Sequence, residues 1–145
     1  MERGGVQAGW IEGGRHVLPL RVYYEDTDFS GVVYHANYLR FFERGRTEFI
    51  RALGIDQRAL HDLEKIAFVV RSMRVEFLLP AIMDDLVRVE TSAIEMRGPA
   101  LRLSQTLVRD AAVLTTGEVL VVCVRAGRPC RLPEALRAAV EAAAS

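Results

Sequence analysis

Only two cysteines, Cys123 and Cys130, occur in this 145-residue chain, and neither stands in a CxxC pair or in a Cys/His cluster at zinc-ligand spacing. No structural metal is expected, and the usage points to a reducing compartment. Long apolar runs are missing as well. No stretch approaches the ~20 residues needed to span a bilayer, and the opening MERGGVQAGWIEGGR lacks the apolar core of a signal peptide. A cytoplasmic protein without membrane insertion is the expectation. Excess charge of either sign is also absent, with 19 basic and 19 acidic side chains. No overall field therefore draws the chain to nucleic acid, which is disfavoured as a partner, although a local basic patch stays open.

What is present suits one globular unit. Half of the residues are hydrophobic, and a chain of this length buries roughly two thirds of its unfolded surface. Residues 1–14 hold five glycines and few anchoring side chains, so they read as a flexible tail, with Trp10 and Ile11 as the only candidates to dock. Residues 15–145 form the single domain. From Arg15 the sequence alternates, Leu18, Leu20, Val22 and Tyr24 on one side and Arg21, Tyr23 and Glu25 on the other, as a half-buried strand does.

The stretch from Tyr23 to Arg51, YYEDTDFSGVVYHANYLRFFERGRTEFIR, carries the polar residues able to do chemistry and one long helix to seat them. Glu25, Asp26 and Asp28 crowd the strand end. Gly31 follows in a turn, where a glycine permits positive φ or close approach to a ligand. Asn37 stands at the expected N-cap. Tyr38, Phe41, Phe42, Gly45, Phe49, Ala52 and Leu53 then recur at helical spacing. Gly45 within that stripe costs about 1 kcal/mol against alanine unless another element comes close there, as a curved sheet wrapped round the helix would. Gly54 supplies the C-terminal stop.

A short helical piece is expected over 55–63, then a strand over 67–79 whose face Arg71 interrupts and which Pro80 closes. Three more strands follow near 85–96, 100–109 and 113–125, separated by Gly98, Pro99 and Asp110, with a bulge at Gly117. These four strands read as an antiparallel meander. Pro133 at the N1 position opens a last helix with Leu136 and Val140 as its apolar face. The class is α+β, one helix laid across one antiparallel sheet. A sheet covered by a single helix leaves apolar surface open, which argues for association of copies.

The run YEDTDFSGVVYHANYLRFFERGRTE, with core motif D-x-D-x-x-G-V-V-Y-H-A-N-Y, resembles the signature of hotdog-fold acyl-CoA thioesterases, in particular the 4-hydroxybenzoyl-CoA thioesterase family and its Tol-Pal-associated branch. The later RVEFLLPAIMDDLVRVET is also in that style, so the resemblance extends from about Leu18 to Arg125. It implies a hotdog fold, a curved antiparallel sheet of about five strands wrapped around one long central helix. Dimers that share a continuous sheet, often paired into tetramers, are implied too. In such proteins the carboxylate before the x-x-G turn attacks the thioester directly or activates water, and that position is Asp28. A main-chain N–H at the start of the helix polarises the carbonyl, and the matching position is His35, whose imidazole is expected to orient water or substrate. Phe29 and Ser30 replace the small residues usual there, which bears on the acyl pocket.

Substrate contacts are expected from Gly31, Val32, Tyr34 and Asn37, although Tyr34 and Tyr38 also suit packing and Asn37 also suits capping. Arg71 and Arg74, with Arg97, Arg102 and Arg125 behind them, are the candidates to meet the phosphates of coenzyme A. A thioester is already activated, so a base or nucleophile and an oxyanion donor suffice, with no metal or cofactor. Several bland readings stand beside these. Ser30 near His35 invites a triad, but no G-x-S-x-G elbow is present. Glu43 and Glu48 pair on the surface with Arg46 and Arg51. Cys123 reads as core, and His16 and His61 show no partner. The function expected is hydrolysis of acyl-CoA to a carboxylic acid and coenzyme A. Alternatives are an acyl-carrier-protein thioesterase, a non-catalytic acyl-CoA-binding or scaffold module, and a dehydratase on the same fold.

Overall fold

A computed structural model describes residues 8–144. Trp10–Glu12 (β1) and Arg15–Arg21 (β2) form a hairpin about Gly13 and Gly14, both at positive φ, the conformation a tight two-residue turn demands. The expected flexible tail thus holds a strand from Trp10, while residues 1–7 lie outside the described residues. His16 is buried beneath this hairpin, and its Nε2 donates to the Ala8 carbonyl at 2.9 Å. The partner that the sequence did not reveal is main chain from the segment read as loose.

After β2 come the long helix α1 (His35–Ala52), the short α2 (Gln57–Glu64), and the strands β3 (Ile66–Phe77), β4 (Leu86–Arg97), β5 (Ala100–Arg109) and β6 (Ala112–Arg125). A two-residue strand, β7 (Arg128–Pro129), and α3 (Glu134–Ala143) end the chain. All pairings are antiparallel, in the order β1-β2-β4-β5-β6-β3, with β7 also on β6. The meander therefore spans β4 to β6 alone. β3, expected to open it, pairs instead with the far side of β6, because β2 already occupies the outer edge of β4 through pairs such as Leu18 with Val89. Among the described residues, one edge of β3 is left unpaired at the end of the sheet.

Arg71 marks a register shift between Val70 and Ser72. Inward positions run Ile66 and Phe68 before it and Met73 and Val75 after it, so the bulge reverses the alternation. That is the physical reason the odd-numbered apolar face broke at Arg71. Gly117 makes no bulge. It stays in register opposite Val75 and Gln105, and it is glycine because a β-carbon there would lie 2.8 Å from Cε2 of Phe42.

α1 buries Tyr38, Phe41, Phe42, Gly45, Phe49 and Ile50. Ile50 replaces Ala52, which is exposed in the last turn. At Gly45 a β-carbon would sit 2.5 Å from Cγ1 of Val89 and 3.0 Å from Nε2 of Gln105, so the sheet does come close where the sequence required it. Buried Gln105 fits into that approach. Its amide donates to the Phe42 carbonyl at 2.8 Å and to Thr91 Oγ1 at 3.0 Å, and it accepts from Arg46 at 3.0 Å. Arg46 therefore turns inward to the sheet. Glu48 keeps the expected pairing with Arg51 at 2.9 Å.

α3 begins at Glu134, so Pro133 is the cap residue and not the first helical one. The helix sets Leu136 and Val140 against Phe49, Ile50 and the inner face of β6. Among the described residues no helix is long and apolar enough to cross a membrane.

Gly45→Ala tests the close approach. Alanine gains about 1 kcal/mol of helix propensity, but overpacking a filled contact costs about 1–3 kcal/mol. The expected outcome is a lower urea unfolding midpoint. A midpoint at or above that of the native chain would contradict the packing described.

Candidate functional site

β2 ends at Arg21, and the chain enters a single turn of 3₁₀ helix at Tyr24–Asp26. The strand expected to continue through Tyr24 therefore stops short, and Tyr24 is exposed. A tight loop follows. Thr27 pairs with Val33, Asp28 N–H donates to the Val32 carbonyl at 2.9 Å, and Gly31 N–H donates to the Asp28 carbonyl at 3.1 Å. Gly31 sits at φ 83°, the left-handed conformation for which the turn needs glycine. Val32 pairs with Ile82 and Val33 N–H donates to the Ala81 carbonyl, so the loop is tied to the segment leading into β4.

Asp28 is exposed on this loop. Its Oδ1 accepts from Ser30 N–H at 2.8 Å and from Ser30 Oγ at 2.6 Å, an Asx-turn arrangement with a hydroxyl added. The Ser30 hydroxyl first, and the Ser30 amide second, hold the carboxyl below the ordinary aspartate range, because both bonds favour the charged form. Ser30 thus supports an anion. The triad invited by its spacing is not formed, since the Ser30 hydroxyl donates to Asp28, while the His35 ring packs on Phe77 with centroids 4.7 Å apart.

α1 starts at His35, two residues before the expected cap. Tyr34 is the cap residue, extended at φ −68° and ψ 139° and without a side-chain cap bond. Asn37 lies inside the first turn. Its own amide N–H donates to the Tyr34 carbonyl at 2.8 Å, while its side chain donates to Asp26 Oδ1 at 2.8 Å. The capping chemistry of Asn37 is spent on the acidic turn, which removes it from the N-cap position. His35 and Ala36 present the first two helix amides, which have no carbonyl one turn earlier to meet. Beneath them Tyr38 packs edge-on against Phe77, and its hydroxyl accepts from Ala81 N–H at 3.0 Å.

The loop and the helix mouth are joined through main chain as well, since Tyr34 N–H donates to the Asp26 carbonyl at 3.0 Å. Asp28, Gly31, Val32, Tyr34, His35 and Asn37 are accordingly brought into one short segment. The arginines are placed differently. Arg71 is exposed on the bulge of β3. Arg74 lies opposite Glu118, on the sheet face away from inward-pointing Val75, and pairs with Glu76 at 3.5 Å. Arg102 and Arg125 pair with Glu118 and Glu64. A cleft of 590 Å³ runs beside the acidic turn, between Leu18, Leu20, Tyr23, Asp26, Arg44 and Leu86. A larger one, of 650 Å³, lies at the other end of α1 around Thr47 and Arg58 and touches none of the loop residues. The sequence reading missed Asp26 as a partner of Asn37, Ser30 as a partner of Asp28, and Phe77 beneath His35. The serine two residues after an aspartate was a usable signal; the other two contacts span elements.

The thioesterase-like superfamily model matches residues 22–140. The chain belongs to that superfamily. It is 44% identical over 124 residues to the acyl-CoA thioesterase YbgC of Haemophilus influenzae, covering 84% of this chain and 91% of that protein. It is 50% identical over 107 residues to the acyl-CoA thioester hydrolase YbgC of Escherichia coli, covering 73% and 79%. Among solved structures, a probable thioesterase from Bartonella henselae superposes with TM-score 0.79 at 41% identity, over 82% of this chain and 99% of that one. The fold is the hotdog fold, as the sequence motif implied. Within this thioesterase-like chain the superfamily match begins at Val22, immediately before the acidic turn, and takes in the loop, the helix mouth and the whole of the sheet from β3 onward.

Ser30→Ala should raise the Asp28 pKa toward the ordinary aspartate value, since the largest stabiliser of the charged form is removed. Carbon-detected NMR titration of the Asp28 carboxyl reads this directly. An unchanged midpoint would show that the Ser30 hydroxyl does not hold the carboxylate.

Proposed function

We propose that this protein hydrolyses acyl-CoA thioesters to a free carboxylic acid and coenzyme A. The observation that carries the reading is the joining of an ionised, Ser30-supported Asp28 to the loop whose other end opens α1. The names of the YbgC relatives in Haemophilus influenzae and Escherichia coli supply the substrate class.

In this mechanism the Asp28 carboxylate either adds to the thioester carbonyl carbon or takes a proton from the water that does so. The oxyanion that develops is met by the His35 amide at the helix mouth, where the dipole contributes roughly half a positive charge. A helix-start amide is fixed by the backbone and needs little reorganisation as charge develops, and one such donor is worth about 10² to 10³-fold in rate. Collapse expels the thiolate of coenzyme A, and water supplies the acid oxygen and the thiol proton. The His35 imidazole, held against Phe77, orients water or substrate. Gly31, Val32 and Tyr34 line the approach, whereas Asn37, expected there as well, is buried with its side chain committed to Asp26, and Arg71 and Arg74 are the proposed contacts for the phosphates. No group of three or more His, Cys, Asp or Glu side chains among the described residues is placed to hold a metal ion.

The working unit is a homodimer, with a tetramer as its further assembly. Asp28, Phe29 and Tyr34 are exposed in the single chain, so the site is roofed only when a second copy approaches. The unpaired edge of β3 exposes Val69, Val70 and Phe77 at 43–46%, and an apolar strand edge is the surface on which two sheets join. The two free thiols and an acyl-CoA substrate support a cytoplasmic location.

Asp28→Asn should lower kcat/KM on short-chain, long-chain and aromatic acyl-CoAs by about 10² to 10⁴-fold, with an unchanged circular dichroism spectrum. Thiol release at the native rate would remove Asp28 from the mechanism. Sedimentation should give at least twice the chain mass, and a charged substitution such as Val70→Asp should shift it toward the single chain. A native protein that sediments as one chain would refute the assembly.

A further inference from the structure

The acidic turn contains a second aspartate, and its carboxyl is bonded to the helix start. Asp26 Oδ2 accepts from Tyr23 N–H at 2.8 Å, and Oδ1 accepts from Asn37 Nδ2 at 2.8 Å. Its main chain is bound on both sides as well, with its N–H on the Tyr23 carbonyl and its carbonyl on Tyr34 N–H, each at 3.0 Å. Four hydrogen bonds therefore converge on one residue that sits two positions before Asp28. Asn37, its side-chain partner, is buried and sits two positions after His35.

Asp28, by contrast, is on an exposed loop, and the hydrogen bonds its side chain accepts from Ser30 lie within that loop. Main-chain pairing sets the loop's register against Val33, while the Asp26–Asn37 bond ties the acidic turn through side chains to the body of α1. It is charge-assisted, partly buried and attached to the rigid helix at its first turn. We infer that the Asp26–Asn37 pair is a positioning device for the thioesterase reaction, setting the distance between the Asp28 carboxylate and the His35 amide without touching substrate. The inference rests on the function proposed above.

A positioning role differs in kind from a folding role. A displacement of order 1 Å between a nucleophile and an oxyanion donor costs about 10²-fold in rate, and it acts on the transition state more than on ground-state binding. Loss of the pair should consequently fall on kcat and leave KM nearly unchanged. The bond is also reversible in polarity. With the amide moved to position 26 and the carboxylate to position 37, the amide N–H can donate across the same gap in the opposite direction. The amide oxygen at position 26 still accepts from Tyr23 N–H. The exchange preserves both contacts.

The test uses four full-length variants, Asn37→Ala, Asn37→Asp, the exchange Asp26→Asn with Asn37→Asp, and Asp28→Asn, assayed on acyl-CoA with thermal unfolding recorded for each. Asn37→Ala removes the donor, and Asn37→Asp sets two carboxylates against each other. Both should lower kcat by about 10- to 100-fold with KM within about threefold of native. The exchange should recover kcat to within about threefold of native. Folded single variants with native kcat overturn the inference, as does a folded exchange no faster than the single variants. A loss confined to KM overturns it too, because that assigns the pair to substrate binding. If Asn37→Asp does not fold, Asn37→Ala against the exchange decides the matter. Native activity in Asp28→Asn removes Asp28 from the mechanism and overturns the inference with it, whereas a native protein that releases no thiol from acyl-CoA overturns the proposed function. An inactive Asp28→Asn beside an exchange that fails to recover overturns the inference alone.

Discussion

The close approach of α1 to the sheet is the constraint on which the rest of the structure depends. It is made possible from both sides, by Gly45 on the helix beneath Val89 and by Gly117 on β6 beneath Phe42. Each glycine accommodates a side chain from the opposite element, so the two surfaces interlock at close range. The gap leaves room for one polar group, Gln105, whose amide donates to both the Phe42 carbonyl and Thr91. A buried amide satisfied on each side fixes the helix in rotation and along its axis. An all-apolar contact would tolerate sliding.

Fixing the middle of α1 also fixes its ends. At the C-terminal end Phe49 and Ile50 form the platform for α3 and the inner face of β6. At the N-terminal end the first amides emerge beside the loop that carries Asp28, with Tyr38 anchored to Ala81 and Asn37 anchored to Asp26. The candidate functional residues belong to a chain segment that is continuous in sequence, yet their relative positions are set by contacts with β3 and with the segment before β4. A loop with exposed side chains and heavily bonded main chain suits the proposed site, because the Asp28 carboxylate is reached from solvent while its backbone is held.

Much of this was legible in the sequence, for physical reasons that differ from element to element. The period of the apolar residues located α1, β4, β5 and β6 to within one or two positions, since each has one buried face. The cost of glycine in a helix made Gly45 point to a close approach, and the approach is there. Gly117 obeyed the same logic, but inside a strand a glycine is equally the mark of a bulge, and only the position of Phe42 separates the two. The bulge in β3, at Arg71, showed as a broken alternation with no special residue type to name it. The placement of β3 beside β6 depends on which edge of β4 is free, a property of the whole sheet. Asn37 carried a capping residue's chemistry and used it on Asp26, at the far side of the loop. A side chain's type limits what it can bond; the partner is chosen in three dimensions.

At the centre stands a single geometrical claim, that a thioester carbonyl is approached by the Asp28 carboxyl on one side and by the His35 amide on the other. The most direct measurement is a crystal structure of the Asp28→Asn protein with an acyl-CoA bound. The expected result is a carbonyl oxygen at hydrogen-bonding distance, about 3 Å, from the His35 N–H, with the side chain of residue 28 facing the carbonyl carbon. A carbonyl bound elsewhere, or a residue 28 side chain turned away from it, would contradict that claim.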